Sequence, residues 1–524
     1  MHVVTNKIRR GDREYSSHLL RRSYREGGKV RKETLANLSH LPDEVIELIR
    51  GALQGRRFVD ADGAFAIERS LPAGHVQAAL TMVGRLELGR LLDRAPSRER
   101  DLCLAMIVQR ALRPGSKLAT ARALAQSTLA DELGVAGASE DDLYGALDWL
   151  LARQGRIEER LGRRHLADGE LVLYDVSSSY FEGRTCPLAK LGYSRDQRRG
   201  TPQIVYGLVC DRPGRPIAIE VFSGELHDDK TLPAQVAKLK QRFGLQTVIV
   251  VCDRGIVTRA NLELMAAGDG IGWITALKAP QIKKLAASGT LQLSLFDEQN
   301  LAEITAPEDY PGERLVVCRN PLVAAERARK REELLAATER GLADIHARVE
   351  RGTLRGADQI GLAVGPALKR YRVKKHFAVT ITDTSLGFER KAEQIAAESA
   401  LDGFYALRTS VDAQALPSAD VVRAYKGLEQ VERAFGTLKG PELEIRPIHH
   451  RLEDRVRAHV LLCMLAYYLT WHLRQAWARR CSSRTSSRHS PPTRSPRRPA
   501  RPPPNTRHRP STPRPASPAT ATAA

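Results

Sequence analysis

Leu171-Val-Leu-Tyr-Asp-Val-Ser-Ser178 changes the texture of the chain. Four apolar or aromatic residues run into an aspartate and then into small polar residues, the pattern of a short buried strand ending at its carboxyl terminus. Thr247-Val-Ile-Val-Val-Cys-Asp253 repeats the pattern and is followed by Arg254-Gly255-Ile256. Two more apolar runs lie between them, Gln203-Ile-Val-Tyr-Gly-Leu-Val209 and Pro216-Ile-Ala-Ile-Glu-Val-Phe222, and Gly272-Trp-Ile-Thr-Ala-Leu277 comes after. Helical stretches, Leu232–Phe243 and Arg259–Ala266, precede the last two strands. Three strands joined by short turns, then two each preceded by a helix, predict an α/β layer domain with a mixed sheet. Functional groups of open α/β sheets gather at the carboxyl ends of strands, where Asp175 and Asp253 fall. Two carboxylates on neighbouring strands repel unless a cation lies between them. Taken singly, an aspartate after a strand is more often a helix cap or turn residue.

Working outward, residues 1–60 are basic, and Tyr15–Leu35 alternates polar and apolar about Glu26-Gly27-Gly28, which predicts a β-hairpin displaying Arg21, Arg22, Arg25, Lys29, Arg31 and Lys32. Such charges suit phosphate, and equally a solvated edge that resists aggregation. Residues 61–168 carry apolar positions at three- and four-residue spacing, as in Val76–Leu92, Arg98–Arg110 and Asp141–Leu151, and read as a helical bundle. The sheet domain, residues 169–278, gives way at 279–409 to polar strands, a long charged helix (Leu322–Arg351) and further strands, which read as an inserted domain. Helices return over 410–480. The segment 481–524 is rich in Ser, Arg and Pro without apolar periodicity, so it is expected to be disordered. It suits either a nonspecific nucleic-acid tail or an out-of-frame reading of a GC-rich gene.

The chain has 524 residues, enough for about three domains. Lys and Arg outnumber Asp and Glu by 82 to 61, a formal charge of +21 that favours a polyanionic partner. Nine Arg and no acid lie beyond residue 480, so close to half of that excess belongs to the tail. The seven cysteines are scattered without a CxxC pair or zinc spacing, which suits a reducing cytoplasm. No secretory h-region opens the chain, and the longest apolar run, Ala458–Trp471, is too short to span a bilayer. That run reads as a buried helix, and no membrane partner is expected.

The third element is Tyr425-Lys-Gly-Leu-Glu-Gln-Val-Glu-Arg-Ala-Phe-Gly-Thr-Leu-Lys439. Tyr425, Glu432 and Lys439 recur every seven residues, about two helical turns, so a continuous helix sets phenol, carboxylate and ammonium on one stripe. Spacing alone equally describes a solvated Glu/Lys face.

Together these blocks resemble the DDE transposases of bacterial insertion sequences, in the large group whose RNase H-like core is interrupted by a β-rich insertion. The last block of that group reads Tyr, two residues, Arg, three residues, Glu, six residues, Lys. Tyr425, Glu432 and Lys439 fall on the spacing, while Leu428 stands at the Arg position. Asp175-Val-Ser-Ser-Ser-Tyr-Phe-Glu182 resembles the first-aspartate block, and Asp253-Arg-Gly255 the second. Gly224-Glu-Leu-His-Asp-Asp-Lys-Thr231 is similar to a further block, with Glu225 replacing Asn. Arg446-Pro-Ile-His-His450 and Ser23-Tyr-Arg-Glu-Gly-Gly-Lys-Val-Arg31 also resemble blocks of the group.

The resemblance implies a catalytic and metal-binding set of Asp175, Asp253 and Glu432. It implies two Mg²⁺ ions, with Mn²⁺ as a substitute, Asp175 bridging both, Asp253 on one and Glu432 on the other. Tyr425, Lys439, Arg433 and Arg254 are the implied DNA contacts. The implied partners are double-stranded DNA, as terminal inverted repeats and target, and a second copy of the chain in a synaptic homodimer. Residues 1–168 are the candidates for recognising transposon ends, and the expected location is the bacterial cytoplasm, at the nucleoid when DNA is bound. Two other readings share these residues: a nuclease or resolvase of the same core, and an inactive or domesticated copy that only occupies DNA.

Overall fold

The computed structural model describes residues 1–58, 69–183, 185–291, 300–304, 306 and 308–487. It divides into two compact units, Met1–Ala73 and Gly74–Ala524.

The first unit is a three-stranded antiparallel sheet, β1 (His2–Arg10), β2 (Arg13–Glu26) and β3 (Lys29–Asn37), followed by helix α1 (Asp43–Leu53). Gly27 and Gly28 both have positive φ, 57° and 81°, as the tight turn between β2 and β3 requires. The expected hairpin is present, and β1 adds a third strand that the alternation did not reveal. Cross-strand pairs occupy part of the basic display: Arg22 meets Glu33 and Arg31 meets Glu26, each at 2.8 Å.

The second unit opens with seven helices: α2 (Gly74–Arg85), α3 (Leu88–Leu92), α4 (Arg98–Leu112), α5 (Lys117–Leu124), α6 (Leu129–Glu132), α7 (Glu140–Leu151) and α8 (Gln154–His165). Ser97, Ser116 and Ser139 cap α4, α5 and α7, each hydroxyl accepting a backbone N–H three residues on.

The strands and helices of the sheet follow: β4 (Leu171–Tyr180), β5 (Gln203–Asp211), β6 (Pro216–Ser223), α9 (Leu232–Ala237), β7 (Val248–Cys252), α10 (Arg259–Ala267), β8 (Ile271–Ala276) and α11 (Ala279–Ala287). Next come β9 (Leu301–Ile304), β10 (Arg314–Arg319), α12 (Pro321–Glu350), α13 (Ala357–Arg370), β11 (Phe377–Ile381), β12 (Leu386–Arg390), α14 (Ala392–Ser399) and β13 (Phe404–Thr409). The chain closes with α15 (Ser418–Lys426), α16 (Leu428–Lys439) and α17 (Glu453–Ser487).

One mixed sheet of eight strands runs β6-β5-β4-β7-β8-β13-β10-β9. β4, β5 and β6 form an antiparallel meander, while β7 lies parallel to β4, and β8 parallel to β7. β4 and β5 are buried almost throughout, and α16 packs against β4. Residues 279–409 divide their roles. β13, β10 and β9 extend the same sheet beyond β8, whereas α12, α13 and the β11–β12 hairpin close on a core of their own around Leu342, Ile345, Leu368 and Phe377.

α17 packs against α4, α7 and β6 and is buried on all sides from Ala458 to Leu469. It continues to Ser487, seven residues beyond the expected end of the helical region, and the tail beyond lies outside the described residues. No described helix is long and apolar enough to cross a membrane. Six of the seven cysteines are buried, and Cys481 is exposed.

Candidate active site

β4 and β7 pair in parallel with Tyr174 opposite Cys252, so the next residue on each strand path is an aspartate, Asp175 and Asp253. β7 ends there as expected, but β4 runs on to Tyr180, so Asp175 lies at mid-strand opposite Leu208 of β5 and not at a strand end, because Val176–Tyr180 keep their pairing with β5. Close packing fixes β4 there. Tyr174 is fully buried and lies against β5 at Gly207, where a Cβ would come within 2.3 Å of the tyrosine hydroxyl. That hydroxyl donates to Thr231 Oγ1 at 2.8 Å, and Thr231 donates in turn to the Asp228 carbonyl at 2.6 Å. The Gly224–Thr231 stretch thereby braces the strand one residue before Asp175. Asp228 also pairs with Arg195, whose own backbone N–H donates to Ser178 Oγ on β4.

Asp175 is partly exposed and accepts the backbone N–H of Val176 at 2.7 Å. Burial of its surroundings, reinforced by the charges of Asp253 and Glu432, pushes its carboxyl up to about 7, against the opposing pull of Val176 N–H and Arg195. Asp253 is exposed and accepts from Tyr425 Oη at 3.2 Å. Burial, with Asp253 beside it, raises the Tyr425 phenol, so it stays protonated and donates.

The stripe expected along one helix is divided. α15 ends at Lys426, and Gly427 joins it to α16, so Tyr425 sits on one helix and Glu432 and Lys439 on the next. A Cβ at Gly427 would lie 2.8 Å from the Ala424 carbonyl and 3.3 Å from Leu173, so glycine lets this junction rest against β4. α16 then turns Leu428, Val431, Ala434, Phe435 and Leu438 inward against the sheet. Leu428 belongs to that apolar face, which accounts for a hydrophobic residue at its position. Glu432 stays exposed on the side of α16 from which its charge reaches Asp175.

Lys439 belongs to a second cluster. Its ammonium lies 3.2 Å from Asp196 Oδ1, and Arg446 pairs with the same carboxylate. Asp196 Oδ2 accepts the Tyr180 backbone N–H at 3.0 Å, tying the group to the end of β4. Burial would raise the Asp196 carboxyl, but the hydrogen bonds from Arg446 and Lys439 outweigh it and hold the group below the usual carboxylate range. Arg433 points outward and pairs with Glu429 at 2.6 Å, one turn back on α16. Arg254 is exposed beside Asp253. Asp196 and Arg195 sit in the loop between β4 and β5, where charged residues are ordinarily solvated, and no spacing marked them.

Among the described residues, no three His, Cys, Asp or Glu side chains are gathered tightly enough to hold a metal ion. The chemistry of the donor set nevertheless suits a hard cation. Asp175, Asp253 and Glu432 offer carboxylate oxygens, and Mg²⁺ ordinarily takes only one or two carboxylates beside water and phosphate. Burial raises Asp175 most and the charges of Asp253 and Glu432 add to it, and a cation would offset both.

Asp175 and Asp253 thus stand on adjacent parallel strands, and α16, which carries the exposed Glu432, packs against β4. A family model described as the transposase DDE domain matches residues 170–469, and one for the N-terminal domain of IS1634 family transposases matches residues 2–62. The chain belongs to the DDE transposases, enzymes whose domains use divalent metal ions. No curated protein matches the sequence. Solved structures with detectable similarity include a piggyBac transposase synaptic complex with hairpin DNA, at 9% identity and TM-score 0.36, covering 84% of this chain and 78% of that one. Another is a Mos1 transposase paired-end complex with the left transposon end, at 15% identity and TM-score 0.16, covering 47% and 70%. Superpositions this loose add nothing to the fold description.

Proposed function

We propose that this transposase cuts the ends of its element and joins the freed 3′ ends to target DNA, using Asp175, Asp253 and Glu432 to hold divalent metal. The observation that carries the reading is the register of β4 and β7, which brings Asp175, midway along β4, beside Asp253 at the end of β7, where Asp175 feels the charge of both other carboxylates. The core is read as RNase H-like, with residues 279–409 as its insertion, and Mg²⁺ as the ion, two per site, replaceable by Mn²⁺. When bound, such ions lower the barrier to in-line displacement at phosphorus by activating the attacking oxygen and stabilising the leaving one.

The protein side chains position the reactants. Asp253 accepts the Tyr425 hydroxyl, which steadies the carboxylate at the end of β7. Lys439, Arg254 and Arg433 offer charge to the DNA backbone, Lys439 from its seat on Asp196. Water attacks the end phosphodiester and releases a 3′-hydroxyl, which then attacks a target phosphodiester and expels another 3′-oxygen. The N-terminal unit and α2–α8 are assigned to recognition of the terminal inverted repeats, and a homodimer to the pairing of two ends.

The test is cleavage of a labelled duplex bearing the element's own ends, with Mg²⁺, by the wild type and by Asp253→Ala. Cutting at the ends that disappears in the variant supports the reading. Binding without cutting by both proteins would replace it with that of a DNA-occupying protein.

A further inference from the structure

A cavity of about 520 Å³ opens away from the carboxylates, between α4, the turn that starts α5, α7, the loop after α16 and the first turns of α17. Its described walls carry five cationic side chains, Arg110, Lys117, Arg446, Arg451 and Arg455, against one carboxylate, Glu444, which is exposed. Arg446 pairs with Asp196 and Arg455 lies 3.7 Å from Asp148, but the two buried cations have no acid among the described residues. Lys117 is 3% exposed and has neither a hydrogen bond nor an acid within ion-pair reach among the described residues. The buried Arg110 spends its guanidinium on backbone carbonyls of Leu443 and Glu444, at 3.2 Å, and of Gly115, at 2.8 Å, none of which cancels a full charge. His459 Nε2 faces the Ile445 carbonyl at 3.1 Å, while its Nδ1 is buried without a partner.

Buried cations without counter-charge are costly, and a protein keeps them where a ligand supplies the charge. Burial, with Arg110 beside it, pushes Lys117 down to about 7, and an arriving anion reverses that push. The N-terminus of α5, capped by Ser116, opens on the same space and adds its partial positive charge. The volume admits a phosphate with its flanking sugar.

We propose that this cavity is a phosphate-binding subsite that seats a backbone phosphate of the DNA strand running past Lys439. Continuity supplies the direction. Glu444, Arg446 and Pro447 line both this cavity and the neighbouring hollow over Tyr180, Asp196 and Lys439. Arg446 therefore stands between the two, paired with the carboxylate that also holds Lys439. The identity of the ligand as DNA rests on the function proposed above. The presence of an anion site does not.

The experiment compares full-length wild type with Lys117→Met and, as a second variant on the opposite wall, Arg455→Gln, without divalent metal. Inorganic phosphate is expected to raise the Tm of the wild type and not of Lys117→Met. A short duplex is expected to bind Lys117→Met about tenfold more weakly, with the slope of log affinity against log salt shallower by about one. Arg455→Gln should move in the same direction, which guards against a fold-specific effect of the first variant. Equal phosphate protection and equal duplex affinity in all three proteins would overturn the subsite. Lost phosphate protection with unchanged duplex affinity would overturn the assignment to DNA and leave a free anion as the ligand. Because no step requires cutting, failure of the cleavage reading appears separately.

Discussion

Tyr425 Oη donates to Asp253 Oδ1 at 3.2 Å, linking α15 to the end of β7. Tyr425→Phe removes that donor and leaves the ring in place. Stability is expected to change by no more than about 1 kcal/mol, because Asp253 is exposed and water can replace the hydroxyl. The rate of cleavage should fall while duplex affinity holds, since a loosened Asp253 affects the reacting centre and not the backbone contacts. Single-turnover kinetics beside equilibrium binding separate the two, and a loss confined to affinity would make Tyr425 a phosphate contact instead.

Asp196 holds two cations, Lys439 and Arg446, with its own side chain only 3% exposed. Asp196→Ala leaves both without their carboxylate, and breaking such a buried pair costs about 3 kcal/mol. Urea unfolding should show a lower midpoint at an unchanged m-value. Asp196→Asn should recover part of the loss through its remaining acceptor. A midpoint that does not move in the Ala variant would mean that the cluster is solvated in solution.

Acid should destabilise the second unit through three half-buried histidines. Burial, aided by nearby Arg and Lys charges, pushes His165 and His450 down to about 3 and His472 to about 4. These groups stay neutral in the folded chain and take a proton near pH 6.5 once unfolded, so unfolding binds protons below that pH. The stability they contribute is complete above about pH 6.5 and is lost as pH falls from there toward 4. Calorimetry at pH 7, 6 and 5 should give a falling Tm, and His472→Asn should flatten the trend. A Tm independent of pH over this range would contradict the folded-state burial of these rings.

The strands that present Asp175 and Asp253 were legible because each opens on a short apolar run followed by an acid, but the continuation of β4 past Asp175 to Tyr180 was hidden by its serines. The buried α17 was legible from the long apolar run at Ala458–Trp471, interrupted by His459. Other parts depend on tertiary contacts that local pattern does not encode. A glycine within a helical pattern is usually tolerated, so the junction at Gly427 was hidden until Leu173 was seen beneath it. Nothing near Lys117 in sequence marks it as buried, because part of its surroundings, such as His450 and Cys463, comes from residues more than 300 positions away. The edge that β9, β10 and β13 join is likewise a matter of topology, and the polar strands of residues 279–409 looked self-contained.

The placement of those three strands bears on what the chain can lose. β13 lies directly against β8, through Ile274, Thr275 and Ala276, and β10 and β9 lie outboard of it. Excising residues 279–409 would strip β8 of its neighbour and expose a row of unsatisfied amides and carbonyls, a template on which another chain can add a strand. A shortened protein would therefore tend to self-associate before it displayed any altered chemistry. The segment cannot be trimmed like an ornamental loop, because it also seals the flank of the sheet.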